Sequence, residues 1–116
     1  MIDLDGRLLD FAASVMGLSD RLRRTSAGRY ISDQLMRASA SAGANYQEAC
    51  GAESRADFVH KLQLVLKEVR ESGYWLRLIA RSRLVAPDSL AALLDECQQL
   101  VRIIAKSVVT AKSRGK

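Results

Sequence analysis

Apolar side chains recur along this chain of 116 residues at the three- and four-residue intervals of amphipathic helices. Four such stretches, at about residues 4–23, 30–50, 55–82 and 88–112, are separated by short segments rich in turn-forming residues. The first stretch carries one regular stripe, which is formed by Leu4, Leu8, Phe11, Val15, Leu18 and Leu22. Four amphipathic helices with short connections predict an all-α fold, an antiparallel up-down-up-down four-helix bundle that occupies residues 1–116 as a single domain.

The second helix contains an unusual run of small residues, ASASAGAN, at positions 38–45. Small residues let a neighbouring helix backbone approach closely. The serines and the glycine also lower the helix propensity, so a tight contact should compensate for them. The run is compatible with a helix contact inside the chain, and equally with a subunit interface or groove.

The third helix is apolar on more than one side. One stripe includes Leu62 and Val69, and a second row includes Leu66 and the large ring of Trp75. A bundle helix needs a single buried stripe, so the second row predicts contacts beyond the monomer, either with other copies of the chain or with a protein partner. The residues that we assign to this oligomer interface are Ala42, Tyr46, Tyr74 and Trp75.

The composition favours helices, since the chain has one proline and only 5% aromatic residues. No apolar run approaches the roughly 20 residues of a membrane span. The acidic, amphipathic start MIDLDGRLLD is unlike a signal or transit peptide, so we expect a cytoplasmic protein with no membrane contact. Cys50 and Cys97 are far apart in sequence and are expected to be buried, reduced thiols.

The formal net charge of +5 admits a nucleic-acid partner, either RNA or DNA. Arginines cluster around the first turn and again at the end of the third helix. We expect these clusters to lie at opposite ends of the monomer, so that only an oligomer would join them. Without aromatic residues between the arginines, binding would depend on phosphate or shape and would be strongly salt-dependent. The candidate contacts are Arg21, Arg23, Arg24, Arg29, Arg77, Arg81 and Arg83.

Polar residues on helices two and three are placed where the two helices could face each other. We predict a network between these helices that serves either as a structural clamp or as a ligand site, because a buried amide such as that of Asn45 must be satisfied. The members of this predicted network are Arg37, Asn45, Glu48, Lys67 and Glu71.

Few residues suggest a reaction or a cofactor. The single histidine, His60, cannot supply the paired Glu-x-x-His motifs of a di-iron bundle, so we expect it at the surface. Glu68 and Glu71 are neighbours on a helix surface and could act as paired carboxylates, although the cations around them favour a charged helix face. No nucleophile with its base, phosphate-binding glycine loop or zinc spacing is present in the sequence, so we expect no catalytic, cofactor or metal site.

Three segments resemble a known family: QLMRASASAGANYQEAC at 34–50, SRADFVHKL at 54–62 and LKEVRESGYWL at 66–76. They are similar to the bacterial four-helix bundle proteins that include those encoded by intervening sequences in 23S rRNA genes, also called S23-like proteins. The likeness is specific in helices two and three and looser in helices one and four. This chain has Ala49 where the family more usually has a glycine.

The resemblance implies a left-handed bundle that assembles as a homopentamer. It implies no settled biochemical role, although a distant relative, the accessory protein of diversity-generating retroelements, binds a reverse transcriptase and nucleic acid. Our leading hypothesis is a non-enzymatic oligomer that binds structured RNA or scaffolds a ribonucleoprotein. The alternatives are a protein–protein adaptor that binds no nucleic acid and, as a third option, an enzyme built on Glu48, Glu68 and Glu71.

Overall fold

The computed structural model describes residues 3–114, and these residues form four α-helices with no β-strand among them. Helix α1 spans Leu4–Leu22, α2 spans Ser26–Cys50, α3 spans Arg55–Ser82 and α4 spans Asp88–Arg114. The predicted all-α, four-helix fold is therefore confirmed. None of the four helices combines the length and the apolar character needed to cross a membrane.

Side-chain caps define where three of the helices begin. The Asp3 carboxylate accepts the Gly6 amide at 2.8 Å, and the Ser54 hydroxyl accepts the Asp57 amide at 3.0 Å, as the capping pattern predicts. Helix α2 starts four residues earlier than predicted, because Thr25 caps it by accepting the Gly28 amide at 3.0 Å. Gly28 allows this tight turn, since a Cβ atom there would overlap the Leu22 carbonyl.

The core follows the apolar stripes that the sequence predicts. In α1 the buried residues are the six members of its predicted stripe, and α3 and α4 bury most of theirs, although Phe58, Leu94 and Val101 are only half-buried. Burial of the stripe is the main favourable contribution to folding in a bundle of this size. The second row of α3, including Leu66 and Trp75, is only half-buried.

The small-residue run packs inside the chain. Ala38, Ser39 and Ala42 are fully buried, with Ala42 0% exposed and part of the central core. This outcome corrects the assignment of Ala42 to an oligomer interface, because its side chain is already covered by the helices of its own chain. The exposed members of the run, Ala40 and Ala44, instead line a shallow groove between α1 and α2.

Contacts between side chains show how the helices are arranged. Ser19 faces Ser32 across α1 and α2, while Gln47 at the far end of α2 reaches Asp5 near the start of α1. Equivalent pairs join α2 to α3 and α1 to α4, as expected of antiparallel neighbours. A bond from Cys97 to the Val69 carbonyl joins α3 to α4. The bundle is elongated, with extents of 49 × 21 × 20 Å. Its left-handed sense and the full up-down-up-down order stay predictions.

The two cysteines differ from each other. Cys97 is buried and donates a hydrogen bond to the Val69 carbonyl at 3.3 Å, as a structural thiol would. Cys50 is exposed, which corrects the prediction that both thiols are buried. Its position explains the difference, because it is the last residue of α2 and lies beyond the core stripe of that helix.

Candidate nucleic-acid interface

Both arginine clusters lie at the same end of the bundle. Residues of the first turn, Arg21 and Arg24, line one groove together with Leu84 and Val85 of the α3–α4 turn. The Arg21 guanidinium also donates to the Ser89 hydroxyl at 2.8 Å, near the start of α4. The expectation that the clusters are at opposite ends is therefore wrong. The expectation placed the start of α3, rather than its end, beside the first turn. In the structure α2 runs away from the first turn and α3 runs back to the same end.

We call this surface the arginine end. It contains seven arginines, and the acidic residues of the helix ends beside its two turns are Asp20, Asp33 and Asp88. All seven are exposed, and they are Arg21, Arg23, Arg24, Arg29, Arg77, Arg81 and Arg83. A surface with this excess of guanidinium groups attracts phosphate, since each group can bind two phosphate oxygens at once.

The arginines differ in how far their charge is already compensated. Arg23 forms an ion pair with Asp33 at 2.6 Å, and Arg29 donates to the Arg23 carbonyl at 3.4 Å. Within residues 3–114, Arg24 and Arg81 form no ion pair. Arg24, Arg81 and Arg83, whose side chains also form no hydrogen bond within the described residues, are therefore the members that a phosphate backbone can contact without first breaking another interaction.

Arg83 holds an unusual backbone conformation. It ends α3 with a φ of 57° in the left-handed region, and among the described residues it is the one non-glycine residue with positive φ. Glycine normally occupies this position, and a side chain there costs about 1 kcal/mol. The chain tolerates this cost and places a further cation at the arginine end.

Part of the predicted polar network exists. Arg37 of α2 donates through Nη1 to Glu68 Oε2 at 3.1 Å and through Nη2 to Glu71 Oε2. The Glu71 carboxylate also accepts the Trp75 indole N–H at 3.0 Å, and Arg37 Nε donates to Gln34 at 3.3 Å. One guanidinium thus joins two carboxylates of α3, one of which, Glu68, is largely buried.

The other predicted members lie outside this network. Asn45 donates to the Ser41 carbonyl of its own helix at 2.9 Å, so its amide is satisfied locally. Glu48 pairs with Lys61 at 3.2 Å, and Lys67 is exposed and forms no ion pair within the described part of the chain. Because Glu48 is held by a separate cation, it does not join Glu68 and Glu71, and the three do not form one site. No group of three or more metal-ligating side chains assembles among residues 3–114.

An aromatic cluster flanks the arginine end. The Trp75 ring packs edge-on against Tyr30 at 5.8 Å and against Tyr74 at 5.1 Å between ring centroids. Tyr30 is 59% exposed and Tyr74 is 52% exposed. Tyr74 also lines a small groove with Arg77 and Arg81, so aromatic and basic residues do alternate here, contrary to our reading of the sequence.

Tyr46 lies far from this cluster, towards the opposite end of the bundle. It is half-buried against the core, and burial, followed by a hydrogen bond with Cys50, raises the pKa of its hydroxyl. Sequence reasoning missed three residues of these sites: Tyr30, Gln34 and Lys61. The positions of Tyr30 and Gln34 were recoverable, because residues equally far from the break at 51–54, such as Tyr30 and Trp75, face each other across the α2–α3 hairpin.

Comparisons with known proteins agree with this architecture. A crystal structure of a protein of unknown function from the S23 ribosomal protein family of Bacteroides thetaiotaomicron VPI-5482 is 30% identical to the chain, with a TM-score of 0.84. The likeness covers 90% of this chain and 97% of that one. No curated protein matches the chain. The model of the 23S rRNA-intervening sequence protein family matches residues 7–106, so the chain belongs to this family.

Proposed function

We propose that the protein is a non-enzymatic cytoplasmic scaffold that binds nucleic acid, with structured RNA as the first candidate, through its arginine end. One observation supports this proposal most strongly: two arginine clusters that are far apart in sequence lie together at one end of a single chain. Membership of a family named for 23S rRNA intervening sequences supports RNA as the first ligand to test.

The chemistry of the surface determines how it would bind. Guanidinium groups pair with phosphate oxygens regardless of base sequence, and each contact releases counterions from the nucleic acid. The grooves at the arginine end, such as the one lined by Arg21, Arg24 and Leu84, are open to solvent and do not enclose a base. We therefore expect recognition of RNA shape and backbone rather than of a sequence.

The test is binding of the purified protein to a labelled RNA hairpin and to a DNA duplex of matched length across a salt series. Affinity for RNA should fall steeply with salt, with a logarithmic slope of about 0.7–0.9 per phosphate contact. Arg24→Glu and Arg81→Glu should each reduce the affinity and the slope, because neither guanidinium group has an ion-pair partner within residues 3–114.

Two variants control for charge and for folding. Arg55→Glu changes the same charge at the start of α3, at the opposite end of the bundle, and should bind as the unaltered protein does. Arg83→Gly removes a cation while it relaxes the left-handed backbone, so a loss of binding in this variant cannot come from unfolding. If Arg55→Glu weakens binding as much as Arg24→Glu does, the arginine end is not the interface.

We also propose that copies of the chain associate through the aromatic cluster of Tyr30, Tyr74 and Trp75, in the homopentamer that the family resemblance implies. Exposed aromatic rings beside a half-buried apolar row are the feature that supports this contact. Association at this cluster would bring several arginine ends together. The alternative function, an adaptor for a different protein without nucleic-acid binding, is supported by the same exposed rings.

Tyr74→Glu should lower the oligomer mass measured by light scattering, because it places a charge within an apolar contact, and it should change the melting temperature little. Trp75→Ala should lower both, since the indole also packs on the core and donates to Glu71. A matched change at an exposed site away from the cluster, Val109→Glu, is the control. A Tyr74→Glu protein of unchanged mass would contradict the proposed interface.

A further inference from the structure

A groove of about 480 Å³ runs along the outside of the bundle between α3 and α4. Three arginines line it, Arg70 and Arg77 from α3 and Arg102 from α4. Its remaining lining is mainly apolar and includes Leu94 and Val101. The volume lies within the range of about 300–1,000 Å³ that is typical of small-molecule sites.

The absence of a side chain at Gly73 keeps the two walls of the groove close together. A Cβ atom at this position would lie 3.2 Å from the Cys97 sulfur, which is tighter than ordinary packing. The Arg77 Nε atom donates to the Gly73 carbonyl at 3.3 Å, which holds this guanidinium over the groove. The groove therefore has a fixed apolar floor with charged groups along its rim.

The positive charge of the groove is not compensated from within it. No carboxylate lines it among the described residues, and its three arginines form no ion pair there. Burial raises the pKa of the Cys97 thiol to about 11, although Arg77 lowers it slightly, so the thiol is neutral at pH 7. The carboxylate next to it in sequence, Glu96, is already bound by Arg7 at 2.6 Å.

We propose that this groove binds a nucleoside phosphate, with its phosphate among Arg70, Arg77 and Arg102 and its base on the apolar floor. Three guanidinium groups without counterions match phosphate oxygens, and the aliphatic side chains of Leu94 and Val101 offer an apolar surface to the face of a base. The exposed amide of Gln98, which also lines the groove, can both donate to and accept from a base edge. The nucleotide could be free or one unit of a nucleic-acid chain, since Arg77 belongs to the arginine end as well.

The test is calorimetric titration of the full chain with AMP, adenosine and inorganic phosphate in separate experiments. AMP should bind about tenfold more tightly than either of the others, because only AMP fills both the charged and the apolar part. Arg102→Ala should weaken AMP binding by about tenfold, the usual loss for a charge-assisted hydrogen bond. AMP binding no tighter than that of inorganic phosphate would overturn the proposal.

Arg55→Ala provides the matched control, since it removes an exposed arginine of α3 that is outside the groove. An equal loss in Arg55→Ala and Arg102→Ala would mean general charge attraction and would also overturn the proposal. Gly73→Ala is a second variant that leaves the charge unchanged, and it should weaken AMP binding because the new methyl group intrudes on the floor.

Competition with a labelled single-stranded oligonucleotide identifies the source of the nucleotide. Displacement of the oligonucleotide by AMP would show that the groove holds one unit of a chain, whereas AMP binding without displacement would show a site for free nucleotides. Both outcomes would support a nucleotide-binding site in the groove. RNA binding that depends on Arg24 while AMP fails to bind would overturn the groove alone and leave the proposed function intact.

Discussion

Ala42→Leu should lower the melting temperature of the bundle by about 4–12 °C. Ala42 is 0% exposed and lies in the core on the small-residue face of α2, so three additional carbon atoms have no space to occupy. Overpacking of this kind costs about 1–3 kcal/mol, and each kcal/mol shifts the melting temperature of a domain of this size by about 4 °C. Thermal unfolding followed by circular dichroism measures the change.

The same substitution at Ala40 is the matched control, because Ala40 is exposed on the same helix two residues earlier. Ala40→Leu should leave the melting temperature within about 2 °C, as surface substitutions usually do. Equal melting temperatures for Ala42→Leu and the unaltered protein would show that the α2 contact is loose. That result would reopen the possibility that the small-residue run packs against a second copy.

The helices were predictable because their signals are local. The stripe of α1 repeats without interruption, and all its six predicted members are buried. The start of α3 follows from the Ser54 cap, which needs only the residues beside it. The start of α2 was misplaced because Thr25 and Gly28 resemble a turn, while their roles as cap and as close-contact glycine depend on where α1 ends.

The candidate sites were harder to predict because they depend on which residues face each other between helices. Arg37 and Glu68 are equidistant from the α2–α3 break at 51–54, so hairpin geometry alone would have paired them, whereas Lys61 lies one helical turn farther from the break than its partner Glu48 does. Hairpin geometry does not apply to Asn45, because its side-chain amide donates to a carbonyl of its own helix rather than to a residue of α3. The same attention to chain direction would have placed both arginine clusters at one end.

Arg37→Met should cost about 2 kcal/mol of unfolding free energy. The substitution leaves the carboxylates of Glu68 and Glu71 facing each other without the cation that joins them. The Glu68 side chain is only 11% exposed, so water replaces the lost contact poorly. Loss of one partner of a fully buried pair costs about 3–5 kcal/mol, and we expect less here because the Arg37 side chain is 46% exposed. Chemical denaturation of the two proteins measures the difference.

Arg23→Met is the matched control. It shows whether the cost of Arg37→Met comes from leaving a buried carboxylate without its cation or simply from the loss of an arginine. Arg23 is 42% exposed, close to Arg37, but its partner Asp33 is 63% exposed, so its loss should cost less than about 1 kcal/mol. Adding Glu68→Met to Arg37→Met should restore much of the stability, because an apolar pair replaces a carboxylate left without its cation. Recovery in the double variant would identify the Arg37–Glu68–Glu71 cluster as a structural clamp between α2 and α3. If Arg37→Met and Arg23→Met unfold alike, the cluster does not hold the helices together, and its convergent charges are better explained as a ligand site.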